Sequence, residues 1–284
     1  MRLSVLSPFD PWKHGLCTCP KKYSLNPYTG CAHRCAYCYA TYIPDFYRVR
    51  EKKDLPGKLE RDLTLLCETE KSPLISMSNS SDPYPPIEKK KELTRKCLEV
   101  FKNFDARILI ITKSDLVQRD VKLLSELKCA VAISITGFSS CAFEPLAPAA
   151  EKRISALRVL KESGIPVILR LDPLMPWISR KEWEEVLGRC SFVDHVVTST
   201  LKLRKDSISR ILRISPELKE LIANLYLKRG EKIRNSIYLP KSVRESMLKF
   251  VEEKCSELGL SCAFCREGMK FKAKSCDGSH LIKM

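Results

Sequence analysis

No apolar run in the 284 residues approaches the roughly 18 needed to suggest a membrane span. The opening Met1-Arg2-Leu3-Ser4-Val5-Leu6-Ser7-Pro8 is too short and too weakly apolar for a secretory signal. From these two absences the expected location is the cytoplasm, with no membrane partner. There is no internal repeat and no low-complexity segment, which excludes solenoid and fibrous architectures. Acidic residues are the third shortage, with 34 Asp and Glu against 50 Lys and Arg, a net charge of +16. Residues 201–284 alone carry 19 basic against 10 acidic residues. A basic C-terminal third suits a polyanionic partner such as DNA or RNA. The bland alternative is a set of solvated faces that are simply basic.

Cysteine is plentiful, at 14 residues. In a reducing compartment cysteines serve as metal ligands, redox groups or buried thiols more readily than as disulfides.

Short β-branched runs alternate with helical patterns. Strands are predicted near Tyr23–Asn26 and at Leu74–Ser78, Ile108–Thr112, Val131–Ile135, Val167–Leu171 and Val193–Thr198. Their nearly continuous apolar character suits parallel strands buried on both faces. Helices are predicted over Lys58–Lys71, Ile87–Phe104, Leu116–Lys128, Pro148–Ser163 and Arg180–Cys190. Six βα units with right-handed crossovers give a doubly wound sheet or a full or partial barrel. After residue 200 the pattern becomes basic and mostly helical (Pro216–Lys228, Lys241–Leu258) and ends in a cysteine-containing tail. The organisation read from this is an N-terminal segment with a cysteine pair (1–22), an α/β core (23–200) and a basic extension (201–284).

The strongest signal is Cys31-Ala-His-Arg-Cys35-Ala-Tyr-Cys38, a C-x3-C-x2-C loop. Three thiolates this close can reach three corners of one [4Fe–4S] cubane, leaving the fourth iron open to a substrate. The alternative is a zinc knuckle with His33 as fourth ligand. His33 sits inside the loop, where tetrahedral closure with three flanking cysteines is strained.

The loop, with Asn26-Pro27-Tyr28-Thr29-Gly30 before it and Tyr39-Ala40 after it, resembles the radical S-adenosylmethionine (SAM) superfamily, and within it the spore photoproduct lyase-like branch, often labelled DNA repair photolyase. Further segments share the resemblance: Ser80-Ser81-Asp82-Pro83-Tyr84-Pro85, Thr112-Lys113-Ser114 with Arg119-Asp120, Ser134-Ile135-Thr136, and Glu144-Pro145 with Ala147-Pro148 ahead of Arg153. It covers roughly residues 10–200.

The resemblance implies a partial (β/α)6 TIM-type barrel whose active site lies at the C-terminal ends of the strands. It also implies a [4Fe–4S] cluster on Cys31, Cys35 and Cys38, with SAM on the open iron. An electron then cleaves SAM to a 5′-deoxyadenosyl radical, supplied by a donor such as ferredoxin or flavodoxin. Ser78, Asp82, Lys113, Ser134, Thr136, Arg170, Asp172, Ser199 and Thr200 all fall at predicted strand ends. By resemblance, Ser81 and Asp82 hold the SAM amino group and Lys113 approaches its carboxylate. Ser134 bonds the carboxylate or ribose, and Asp172 accepts from ribose or orients Lys113. Tyr37 and Tyr39 contact adenine through backbone, take part in radical transfer, or simply pack.

One departure matters. The branch carries a hydrogen-donor cysteine where this chain has Ser80. A serine O–H bond is too strong for ordinary hydrogen-atom donation. Cys141 is a substitute donor or a buried thiol. A different nucleic-acid reaction, or a different substrate, follows.

In the tail, Cys262-Ala-Phe-Cys265 and Cys276-Asp-Gly-Ser-His280 suggest a second Fe–S or zinc site. Its fourth ligand is open among His280, Cys255 and the Cys17-Thr-Cys19 pair. Cys276–His280 resembles the end of the CDGSH iron–sulfur motif, although the C-x2-C spacing here departs from it. Cys67, Cys97, Cys129 and Cys190 read as core thiols. Trp12, Trp177 and Trp183 show no stacking pattern. Lys202, Arg204, Lys205, Arg210 and Arg213 are the candidate phosphate-binding stretch. Three functions remain: a radical SAM enzyme acting on a nucleobase, one acting on a protein or small molecule with an auxiliary cluster, and a non-enzymatic zinc protein that binds nucleic acid.

Overall fold

The computed structural model describes residues 3–9 and 15–284; Trp12 lies outside them. Six core strands follow one another in chain order: β1 (Tyr23–Leu25), β2 (Leu74–Met77), β3 (Arg107–Thr112), β4 (Cys129–Ser134), β5 (Val167–Leu174) and β6 (His195–Thr200). Each pairs parallel with the next. All six lie within a few residues of the predicted runs, and β2 and β4 are buried along their whole length.

The sheet is open, as a partial barrel requires, and it is longer than six strands. Ser7–Pro8 adds antiparallel to β1, and a seventh parallel strand, β7 (Cys262–Phe264), adds to β6. The basic extension is therefore built into the sheet. Outward residues such as Ile108, Ile110, Val131 and Ile133 pack under the helices. Inward residues Leu74, Leu109, Ala130, Ala132, Ile168 and Val197 form a second, smaller core, into which the tail inserts Ile282. Burying an isoleucine of this kind contributes about 1.5–3 kcal/mol. Gly278 permits the insertion: its φ is +79°, and a Cβ there would stand 2.4 Å from Ile168 Cδ1.

The α-helices of five or more residues are α1 (Leu55–Cys67), α2 (Leu93–Phe101), α3 (Val121–Ser125), α4 (Ala150–Glu162), α5 (Arg180–Arg189), α6 (Lys205–Ile214) and α7 (Lys241–Glu257). Three predicted helices depart from a regular α-helix. Over Ile87–Phe104 the chain breaks at Glu92, whose φ is +51°. The cause is the buried Glu88 carboxylate, which accepts from Thr94 N (2.9 Å) and Arg95 N (3.2 Å) and so starts a new helix. Over Leu116–Lys128, Ser114 caps a 3-10 turn (Asp115–Asp120) before α3 begins. Pro216–Lys228 passes from a 3-10 turn through one α turn into a π turn. Helix α6, directly after β6, carries no expectation from the sequence.

Cys97, Cys129 and Cys190 are buried as expected, while Cys67 is half-buried. Trp183 is buried, and Trp177 stacks at a tilt on Phe143. Among the described residues, no helix is long and apolar enough to cross a membrane.

Candidate active site

The cysteine loop leaves β1 and crosses the C-terminal ends of the strands. Gly30 enters it with φ +86°; a Cβ there would meet Phe46 O at 2.5 Å and Arg48 O at 2.7 Å. The loop is pinned by its backbone, with Cys31 N donating to Phe46 O (2.8 Å) and Ala36 N to Phe143 O (2.8 Å). Arg210 of α6 donates Nε to Ala36 O (2.9 Å) and Nη2 to Cys38 O (2.7 Å). One planar guanidinium fork thus holds two loop carbonyls.

Asp82 and Glu144 organise what faces this loop. Asp82 accepts from Thr112 Oγ1 (2.7 Å), Lys113 N (2.8 Å) and Tyr84 N (2.9 Å), and its Oδ2 pairs with His33 Nε2 at 3.1 Å. Burial pushes the Asp82 carboxyl up, but His33 and the N–H donors outweigh it, and it stays below the ordinary carboxylate range. His33 is buried and pairs with Asp82 there as a strut. The loop is thereby tied to the end of β3.

Glu144, 1% exposed, is the centre of a larger network. It accepts from Tyr37 Oη and from Thr136 Oγ1 (2.6 Å), and pairs with Lys113 Nζ (3.1 Å) and Arg153 Nη2 (2.6 Å). Burial again pushes the carboxyl up, and Lys113, Arg153, Thr136 and Tyr37 together hold it well below its ordinary value. Arg153 also donates to Ser134 O (2.9 Å). The sequence placed Glu144 and Arg153 only among residues of resemblance, because a buried carboxylate is defined by the cations that folding brings to it.

Cys35 lies within charge reach of Glu144 and Lys113, Cys38 of Lys113, and Cys31 of Asp82. Burial, then Glu144, push the Cys35 thiol up to about 12. Lys113 therefore stands at the strand end facing the thiols, but with Glu144 as its partner. Ser134 is buried at the end of β4. The Ser78 hydroxyl at the end of β2 is buried and unpartnered, on a backbone with φ +65°. Ser81 leans on Asn26 Oδ1 (3.4 Å). Asp172 does not orient Lys113; it pairs with Arg170 and accepts from Ser199 Oγ (2.5 Å).

Three of the five cations in the candidate phosphate-binding stretch are engaged within the fold. Lys202 pairs with buried Glu267 (2.8 Å), Arg204 donates to Tyr39 O (3.0 Å), and Arg210 clamps the cysteine loop. Only Lys205 and Arg213 of that set are exposed. Arg210 is turned inward because α6 lies against the loop, while Lys202 and Arg204 lie in the link between β6 and α6. Glu267, which no sequence motif marks, also accepts from Thr200 N (2.7 Å) and pairs with Arg244 (3.3 Å).

Beside the loop, Tyr39, Tyr42 and Tyr47 are 51%, 63% and 36% exposed. Arg34 lies over Tyr47 and Arg204 over Tyr42, at 5.7 and 5.4 Å from the ring centroids. Arg34, Asp45, Phe46, Tyr47 and Arg48 line a shallow recess. Cys141 is exposed rather than buried.

The fold and this loop define a class. Residues 25–190 match the radical SAM superfamily, and the chain belongs to it. Among solved structures, the fold is similar to that of spore photoproduct lyase: a point mutant of that enzyme aligns with a TM-score of 0.72 at 14% identity, over 88% of this chain and 76% of that one. A double mutant of it with bound AdoMet and dinucleoside spore photoproduct aligns at 0.70 and 15% identity, over 93% and 81%. An uncharacterized protein of Methanocaldococcus jannaschii is 38% identical over 168 residues, 55% of this chain and 61% of its own length. An uncharacterized protein of Mycobacterium bovis is 21% identical over 253 residues, 80% of this chain and 72% of its own. The chain thus spans somewhat more than half the length of the more similar of these relatives.

Proposed function

We propose that Cys31, Cys35 and Cys38 hold a [4Fe–4S] cluster, that SAM binds over it, and that the substrate is a nucleobase in DNA or RNA. The observation that carries the chemistry is three thiols on one pinned loop, faced by the Lys113–Glu144 network and by buried serines at two strand ends. When bound, the cluster and SAM supply one-electron cleavage to a hydrogen-abstracting radical. The chain's own residues bind and orient. The unpartnered Ser78 hydroxyl and the buried Ser134 would bond SAM, and Lys113 would offer a cation to its carboxylate. Glu144 holds Lys113 in place as its counter-ion, and Asp82 holds His33 and the loop. Arg210 keeps the loop closed over the strand ends. A low-potential ferredoxin or flavodoxin would deliver the electron, in a reducing cytoplasm.

The nucleic-acid reading rests on the net charge of +16 and on the exposed tyrosines. Aromatic faces beside arginines make a stacking platform for unpaired bases. A base in a duplex would have to be flipped out to reach the strand ends. Spore photoproduct lyase has been solved with a dinucleoside spore photoproduct, which supports the reading by analogy of fold.

The test is anisotropy of a labelled single-stranded oligonucleotide across a salt series. Binding should weaken steeply with salt. Tyr42→Ala should cost about 1–3 kcal/mol, the worth of one stacked base. Binding that is absent, or indifferent to both salt and Tyr42, would turn the reading to a protein or small-molecule substrate.

A further inference from the structure

Strand β7 sends its cysteines to opposite sides. Cys262 faces the helix layer, where its thiol meets that of Cys255 on α7. Cys265, one residue past the strand, donates its N–H to Thr198 O (2.9 Å) and packs with the inner core of the barrel. The opposite edge of the open sheet arrives at the same place. In the segment leading into β1, Cys19 Sγ lies 3.3 Å from Cys276 Sγ of the tail. The Cys17 thiol lies beside that of Cys19, and both are free. Leu16 packs 3.1 Å from the Cβ position of Gly268, so this segment rests on the turn that follows Cys265. Cys276 is within charge reach of Cys265. Beside them, a buried ion pair, Lys22 Nζ to Asp277 Oδ2 at 2.5 Å, already locks the N-terminal segment to the tail.

We infer that Cys17, Cys19, Cys265 and Cys276 form a four-thiolate metal site, separate from the Cys31–Cys38 loop, that ties together the two edges of the open barrel. The 3.3 Å between Cys19 and Cys276 is far from a disulfide's roughly 2.05 Å. It is near the ~3.8 Å between sulfurs that a tetrahedral zinc imposes through Zn–S bonds of about 2.3 Å. Among the described residues, no three ligating side chains are yet gathered round one point. Metal binding therefore gathers Cys17 and Cys265 round the Cys19–Cys276 pair. Four protein ligands leave no open coordination position, so the site is structural, and zinc is the expected metal. Cys262 takes no part, because it lies on the other face of the strand.

The test begins with the full chain carrying Cys31→Ala, Cys35→Ala and Cys38→Ala, which removes the first cluster and separates this inference from the proposed function. Elemental analysis should find about one zinc per chain. Adding Cys19→Ala with Cys276→Ala should remove it, and adding Cys255→Ser with Cys262→Ser should not. A second measurement needs no further substitution: in the triple variant, alkylation mapped by mass spectrometry should spare Cys17, Cys19, Cys265 and Cys276 until a chelator is added. Iron and sulfide with the same four thiols protected would also support the site. Metal-free protein, metal indifferent to Cys19 and Cys276, or a recovered Cys19–Cys276 disulfide would overturn it.

Discussion

Replacing Glu144 with glutamine should destabilise the fold more than any change to an exposed residue. The side chain is fully buried and neutralises two cations, Lys113 and Arg153, whose own side chains are 15% and 3% exposed. Glutamine preserves the shape and some of the hydrogen bonds to Tyr37 and Thr136, but leaves both cations without a counter-charge. Removing one partner of a buried ionic network costs about 3–5 kcal/mol, which at about 2–4 °C per kcal/mol for a chain of this size lowers Tm by about 6–20 °C. The same carboxylate should leave a mark in the pH dependence. Its folded pKa is depressed below the ordinary 4.5, so its contribution is complete above about pH 4.5 and fades as pH falls below that value. Denaturant midpoints of wild type and Glu144→Gln, measured from pH 3 to 7, should converge as the solution is acidified. Adding Lys113→Met to Glu144→Gln should recover part of the loss, because one stranded charge is gone. A Glu144→Gln stability within about 1 kcal/mol of wild type at pH 7 would refute the reasoning.

Arg210→Lys should retain the fold but lower the iron bound after reconstitution, because an ammonium cannot bridge the Ala36 and Cys38 carbonyls as the guanidinium does; iron per chain and circular dichroism check both halves. His33→Gln should still take up the cluster, since His33 pairs with Asp82, and an iron content as low as that of Cys31→Ala would contradict this. Asp82→Ala removes the acceptor of Lys113 N, Tyr84 N and Thr112 Oγ1 together, and should cost several kcal/mol in urea unfolding.

The six core strands were legible because each is a short, nearly continuous apolar run, the pattern that burial on both faces demands. The cysteine loop was legible because its ligands are local in sequence. Strand β7 was not: Cys-Ala-Phe has no strand signal of its own and becomes a strand by adding to the edge of β6. Glu144 and Glu267 were hidden for the same reason, since a buried carboxylate is defined by the cations that folding brings to it. The Lys202–Arg213 stretch reads as a solvated basic face in sequence. In space, Lys202, Arg204 and Arg210 are turned onto Glu267 and onto the carbonyls of the cysteine loop. Helical periodicity likewise gave no warning that Glu88 would cap a new helix and break the one predicted from Ile87.

The central claim is that Cys31, Cys35 and Cys38 support reductive cleavage of SAM. It is tested most directly by anaerobic reconstitution with iron and sulfide, reduction with dithionite in the presence of SAM, and chromatography for 5′-deoxyadenosine. The account predicts 5′-deoxyadenosine from the wild-type chain and none from Cys31→Ala. Protein that takes up zinc alone and never a cluster, or 5′-deoxyadenosine formed equally by Cys31→Ala, would contradict it.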